Sequence, residues 1–224
     1  MNEIIPAIMP KNYEDLKYKV SLVKGLVSTV QLDLMDGVFV PEKTWPFLNL
    51  KQGIEEVKEN GLPFWQDLDF ELDLMVRNAS NLLEELIQLG PSRIIFHIEA
   101  EDTLNIKKIK ERLGESIEIG LAINPQTSIE KIEPFISDIN FVQCMGIAKI
   151  GYQGQPFDEK VFDHINYLQK NYPKLTISVD GSVNFDTIGK LTEAGVSRFV
   201  IGSAIFGAEN IHKTIEEFYG IIKK

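Results

Sequence analysis

Along the whole chain, short runs rich in β-branched or alternating apolar residues take turns with longer stretches whose apolar residues recur every three or four positions. No linker-like or low-complexity segment interrupts them. The strand-like runs lie near 3–9, 29–34, 68–76, 93–98, 117–122, 139–145, 175–179 and 198–202. The helix-like stretches lie near 12–25, 50–60, 79–89, 102–113, 127–137, 157–170, 184–194 and 208–222. Within 79–89, Leu82, Leu83, Leu86 and Leu89 form one apolar stripe, Glu84, Glu85 and Gln88 take the wet side, and Gly90 supplies a stop. The stretch that ends at Gly195 closes in the same way. Helices alternating with parallel strands cover both faces of a sheet, and closing that sheet removes the two edges that a doubly wound one keeps. The pattern predicts an α/β fold, a (β/α)8 TIM barrel, as a single domain over residues 1–224.

A chain of 224 residues with 44% hydrophobic composition can bury one sizeable core. Against 33 acidic residues it has 23 Lys and Arg, and a net charge of −10 repels a polyanion at long range, so no nucleic-acid partner is expected. The lone Cys144 has no intramolecular partner, and no Cys/His pair has zinc-ligand spacing, which suits a reducing compartment. An early acid, Glu3, and a short apolar run argue against a signal peptide, and no later run has membrane-spanning length. A cytoplasmic protein, free of the membrane, with a small molecule or another protein as partner, is the expectation.

In a (β/α)8 barrel the loops that leave the C-terminal strand ends form the active-site face, so polar residues late in a strand are informative. Gln31 and Asp33 project to one face of the second strand, opposite Leu32 and Leu34. Glu71 and Asp73 alternate in the same way on the third, and Asp180 ends the seventh just before Gly181. These carboxylates are expected to converge in the barrel mouth. Any one of them can equally cap a turn, and Asp36, beside Gly37, is the clearest turn residue. Clustered carboxylates at equivalent depth are costly unless a cation, a proton or a substrate compensates them.

Glycines mark three successive strand ends: Gly151, Tyr152, Gln153 and Gly154 after the sixth, Gly181 and Ser182 after the seventh, Gly202 and Ser203 after the eighth. Each alone reads as a turn; together they suggest backbone N–H groups gathered around an anion such as phosphate. Met35, Met75 and Met145 could form an apolar floor for a sugar or simply pack the core. His97 is expected to be a hydrogen-bonded core histidine, His164 and His212 surface residues, and Cys144 a buried thiol.

The segments "LDLMDGVFVP" (32–41), "FHIEA" (96–100), "GLAINPQTSIE" (120–130), "GYQGQPF" (151–157), "VDGSVN" (179–184) and "AGVSRFVIGSAIF" (194–206) resemble, in order, those of ribulose-phosphate 3-epimerases. The resemblance covers nearly the whole chain. It implies a ribulose-phosphate-binding barrel that moves a proton at carbon 3 of a phosphorylated ketose through an enediolate, with Asp33 and Asp180 at the two acid/base positions. It further implies a divalent metal held by those aspartates and two histidines, and a homo-oligomer. Here Gln31 stands at one histidine position and Asp73 at the other. Ala7 replaces a serine, Gln153 a glycine of the phosphate loop, and Ser182 the second glycine after the seventh strand. The ligand set Gln31, Asp33, Asp73 and Asp180 would offer oxygen only, favouring Mg²⁺ or Mn²⁺ over Zn²⁺ or Fe²⁺. With no metal, one carboxylate should hold a proton at neutral pH. The expected function is an epimerase for a phosphosugar. The alternatives are an epimerase for another one, such as a hexulose 6-phosphate, and a catalytically impaired phosphosugar-binding homologue.

Overall fold

The computed structural model describes residues 2–152 and 154–223; Gln153 of the expected phosphate loop lies outside the described residues. Its strands are β1 (Glu3–Ile8), β2 (Thr29–Met35), β3 (Asp69–Met75), β4 (Arg93–His97), β5 (Glu118–Ile123), β6 (Phe141–Met145), β7 (Thr176–Asp180) and β8 (Arg198–Ile201). Each begins and ends within two residues of the expected run. All pair in parallel in sequence order, and β8 returns to β1, with Glu3 opposite Arg198, to close the barrel. The helices are α1 (Tyr13–Val23), α2 (Leu50–Asn60), α3 (Leu83–Leu86), α4 (Ile106–Leu113), α5 (Val161–Asn171), α6 (Ile188–Glu193), the short α7 (Ser203–Phe206) and α8 (Ile211–Ile222). An asparagine side chain caps the N-terminus of α1, α2, α4 and α8: Asn12, Asn49, Asn105 and Asn210 each accept a backbone N–H of the first turn. Among the described residues no helix is long and apolar enough to cross a membrane.

Two expected helices take another form. The 127–137 stretch makes two 3₁₀ turns, Ile129–Lys131 and Glu133–Phe135, because Pro134 has no N–H to continue an α ladder. The 79–89 stretch is helical throughout, but only Leu83–Leu86 is α and 3₁₀ turns flank it.

Strand alternation sorts the side chains. Leu32, Leu34, Leu72, Leu74, Ile94 and Phe96 point outward into the main core beneath the helices. Inside the barrel, Phe141 is accommodated because Gly120 faces it; a Cβ there would lie 2.4 Å from the ring. The lower end is filled by charge: Arg198 pairs with Glu71 and lies 3.5 Å from Glu3, while Arg93 reaches Glu71 at 3.4 Å and Glu118 at 2.9 Å. Glu71 was expected to join the carboxylates of the mouth. It belongs instead to this lower layer, two residues deeper than Asp73, where the two arginines neutralise it. Burial raises the Glu71 pKa, and the facing arginines pull it back only partly.

Candidate active site at the barrel mouth

Three inward strand positions converge above that layer. Asp33 and Asp73 are register partners on β2 and β3, and Asp180 comes from β7 across the mouth. Asp33, Asp73 and Asp180 each offer an oxygen within 4.8 Å of the others, a spacing at which one cation could be held. Gln31, fully buried, sends Nε2 between two of them: it donates to Asp33 Oδ1 at 2.9 Å and to Asp180 Oδ2 at 2.8 Å. His97 Nε2 lies 2.9 Å from Asp73 Oδ1, both residues fully buried, and Phe39 packs on the imidazole with ring centroids 5.6 Å apart. The expectation of a hydrogen-bonded core histidine therefore holds, and its partner is the residue at a histidine position of the resembled family.

These contacts set the proton affinities. Burial, then the facing Asp180 and Asp73 carboxylates, push Asp33 well above the ordinary carboxylate value, against the pull of the Gln31 N–H. Asp180 is pushed up to about 7, first by burial and then by Asp73, against Gln31 and His97. Burial would lower the His97 pKa, but Asp73 outweighs it and the imidazole is held above its usual value.

The fit of a resident metal can be judged from these donors. The Gln31 N–H group occupies the approach between Asp33 and Asp180, and an amide N–H ligates nothing. Asp73 gives one oxygen to His97. Among the described residues Gln31 Oε1 and Asp73 Oδ2 are buried without a partner. As arranged, the residues do not fit a metal bridging Asp33 and Asp180 through the two oxygens that Gln31 holds, although the spacing of the three acids alone would admit an ion.

Above the carboxylates opens a cleft. Asp33 and Asp180 lie in its lining, with Met35, Met75 and Met145 as an apolar wall, and Gly151, Tyr152, Gly154, Gly181, Ser182, Gly202 and Ser203 around the rest. Every described residue expected to bind substrate or phosphate is thus brought to one cavity; Gln31 and Asp73 lie beneath it. Asp36 is the turn residue expected, accepting the N–H groups of Val38 and Phe39 at 2.8 and 3.0 Å. His212 is exposed, but His164, on α5, is buried on that helix's inner side rather than on the surface. Burial pushes the Cys144 thiol up to about 12, which leaves it inert. Sequence reasoning passed over Gln143, whose Nε2 reaches Asp180 Oδ2 at 3.5 Å; its period-two place between Phe141 and Met145 would have found it.

The turn that presents Asp180 is held by close backbone contact. Gly146 N–H donates to the Asp180 carbonyl at 2.6 Å, and a Cβ on Gly146 would lie 2.2 Å from the Gly181 oxygen. Ser182, at φ 53, takes a left-handed conformation that suits glycine, and its hydroxyl donates to the Gln155 carbonyl, tying this turn to the loop after β6. Gly146→Ala should displace Asp180, and about a 10²-fold fall in turnover at unchanged secondary structure is the expected outcome, read by steady-state rates and circular dichroism.

A closed parallel (β/α)8 barrel with paired acids and glycine-rich loops at its C-terminal mouth places the protein in the class of TIM-barrel enzymes. Residues 3–206 match the model of the ribulose-phosphate 3 epimerase family, and the chain belongs to that family. A ribulose-phosphate 3-epimerase of Bacillus subtilis is 29% identical over 98% of this chain and 99% of its own length. One of Schizosaccharomyces pombe is 28% identical over 99% and 94%. Among solved structures, 3-hexulose-6-phosphate synthase from Salmonella typhimurium matches with TM-score 0.67 at 10% identity, covering 99% of this chain and 98% of that one. KGPDC from Streptococcus mutans matches with TM-score 0.67 at 15%, covering 100% and 98%. These two likenesses speak for the fold.

Proposed function

We propose that this protein epimerises a phosphorylated ketose at carbon 3, with Asp33 and Asp180 as the proton-transferring pair. The observation that carries the reading is that two carboxylates from β2 and β7, held by one amide nitrogen, line a cavity ringed by glycine-rich loops. Phosphate would be received by backbone N–H groups around Gly181, Ser182, Gly202 and Ser203, and the sugar would lie against Met35 and its neighbours. The family and the names of its relatives support a phosphosugar substrate.

Burial and mutual repulsion hold both carboxylates above the ordinary value, so the pair keeps a proton that a lone carboxylate would lose, and Asp180, at about 7, is partly ionised at neutral pH. Asp180 takes the proton from carbon 3; the C–H electrons form the double bond between carbons 2 and 3, and the carbonyl electrons move to oxygen, giving the enediolate. Asp33 then gives its proton to the opposite face of carbon 3. The reverse reaction exchanges the two roles. The pair titrates as a unit, so exchange should rise with pH through about 7 as the pair gains a base and fall at higher pH once its remaining proton is lost, a bell-shaped profile of kcat/KM.

An oxygen-only trio, were it to take a cation, would select Mg²⁺ or Mn²⁺ over Zn²⁺ or Fe²⁺. The hydrogen bonding favours the other course, a site with no resident ion. The test of function is carbon-3 proton exchange into deuterated water, followed by NMR for five- and six-carbon ketose phosphates. Exchange with one of them is expected. Binding of the phosphosugar with no exchange under any condition would instead establish the impaired, ligand-binding homologue.

A further inference from the structure

We infer that the Gln31 carboxamide takes the place of a bridging cation between Asp33 and Asp180, so that the centre holds and needs no divalent metal. This rests on the epimerase reading of the two aspartates and adds how their charges are managed.

Gln31 is fully buried inside the barrel, and its Nε2 is 2.9 Å from one aspartate and 2.8 Å from the other. An amide nitrogen carries two hydrogens, and each has a carboxylate acceptor here, so both donors are spent and no lone pair is offered. A Mg²⁺ or Ca²⁺ bridging these same two oxygens would need them at about 2.0–2.6 Å, where this N–H group already stands between them. The amide oxygen, the only ligating atom Gln31 has, is buried without a partner among the described residues, and turning it toward the aspartates would remove both N–H hydrogen bonds.

The third carboxylate is provided for in the same manner. Asp73 faces the His97 imidazole at 2.9 Å, with neither residue exposed. Gln143 adds a further amide near Asp180 at 3.5 Å and is itself steadied by the Ser178 hydroxyl at 3.3 Å. Each carboxylate that a metal would gather has a protein N–H donor or imidazole against it. Gln31 is thus a positioning residue: it fixes both acids at one spacing through a neutral bridge, where an ion would fix them through charge.

The test pairs a binding measurement with a rate. Protein dialysed against chelator and titrated with Mn²⁺ should show no bound ion by electron paramagnetic resonance, and carbon-3 proton exchange should be the same in chelator as with Mg²⁺ or Mn²⁺ added. Gln31→His replaces the amide by an imidazole able to ligate, and should gain Mn²⁺ binding while the fold, followed by thermal unfolding, persists. A stoichiometric Mn²⁺ in the wild-type protein, or exchange lost to chelator and restored by metal, overturns the inference and leaves the epimerase reading standing. Failure of Gln31→His to bind Mn²⁺ while folded overturns the assignment of metal exclusion to Gln31. Absence of exchange from every ketose phosphate, with and without metal, overturns the epimerase reading, and the Mn²⁺ titration of the wild type still decides the question of the ion.

Discussion

Asp33→Asn and Asp180→Asn are each expected to cut carbon-3 proton exchange by about 10²–10⁴-fold with the protein still folded, the range for removing a positioned acid or base. The amide keeps the shape and can still accept from the Gln31 N–H, so the loss reports proton transfer and not collapse of the mouth. Stability should move the other way. Both carboxylates have folded-state proton affinities above their unfolded ones, so their ionised forms burden the folded state. For Asp180 that burden is absent below the ordinary value of 3.8 and complete above about 7. Asp180→Asn should therefore melt higher than wild type at alkaline pH, and the gain should fade as pH falls through 7 toward 3.8. At this chain length each kcal/mol relieved corresponds to about 2–4 °C in Tm. Activity lost together with stability at alkaline pH would contradict the assignment.

The largest change in stability is expected at the other end of the barrel. Arg198→Ala removes the main partner of Glu71, which is fully buried and, among the described residues, keeps only Arg93, at 3.4 Å. Breaking a buried pair from one side costs about 3–5 kcal/mol, because the remaining charge has no water to return to. A fall in Tm on the order of 10 °C follows. Loss of the guanidinium stacked at 4.1 Å over Phe141 adds to it. The double change Arg198→Met with Glu71→Leu should recover most of the loss, since it removes both charges together. Thermal unfolding of the single and double variants measures the coupling directly.

Much of this was legible in the chain, for identifiable reasons. The strands were readable because period-two patterning and β-branched runs report burial on both faces, and the convergence of Asp33, Asp73 and Asp180 followed from their places late in their strands. The helices were less so: the apolar spacing of 127–137 satisfies a helical template, but Pro134 interrupts the backbone ladder, a conflict that periodicity does not weigh. Depth was the harder quantity. Glu71 and Asp73 share one face of one strand, and only the barrel's stagger places one against arginines below and the other with the acids above. His164 looked like a surface residue because its helix is polar on one side, and which side carries it depends on packing against β6. The bridge made by Gln31 could be placed but not understood from sequence, since it depends on distances from an amide to strands that are far apart in the chain.

The ionic layer of Glu3, Glu71, Arg93 and Arg198 also bears on traffic. Among the described residues it corks the base of the cylinder, leaving the chamber a cul-de-sac whose doorway is the mouth. Reactant and product must queue at that same threshold, so each epimer should inhibit conversion of the other competitively, and whatever slows departure of one will delay arrival of the next.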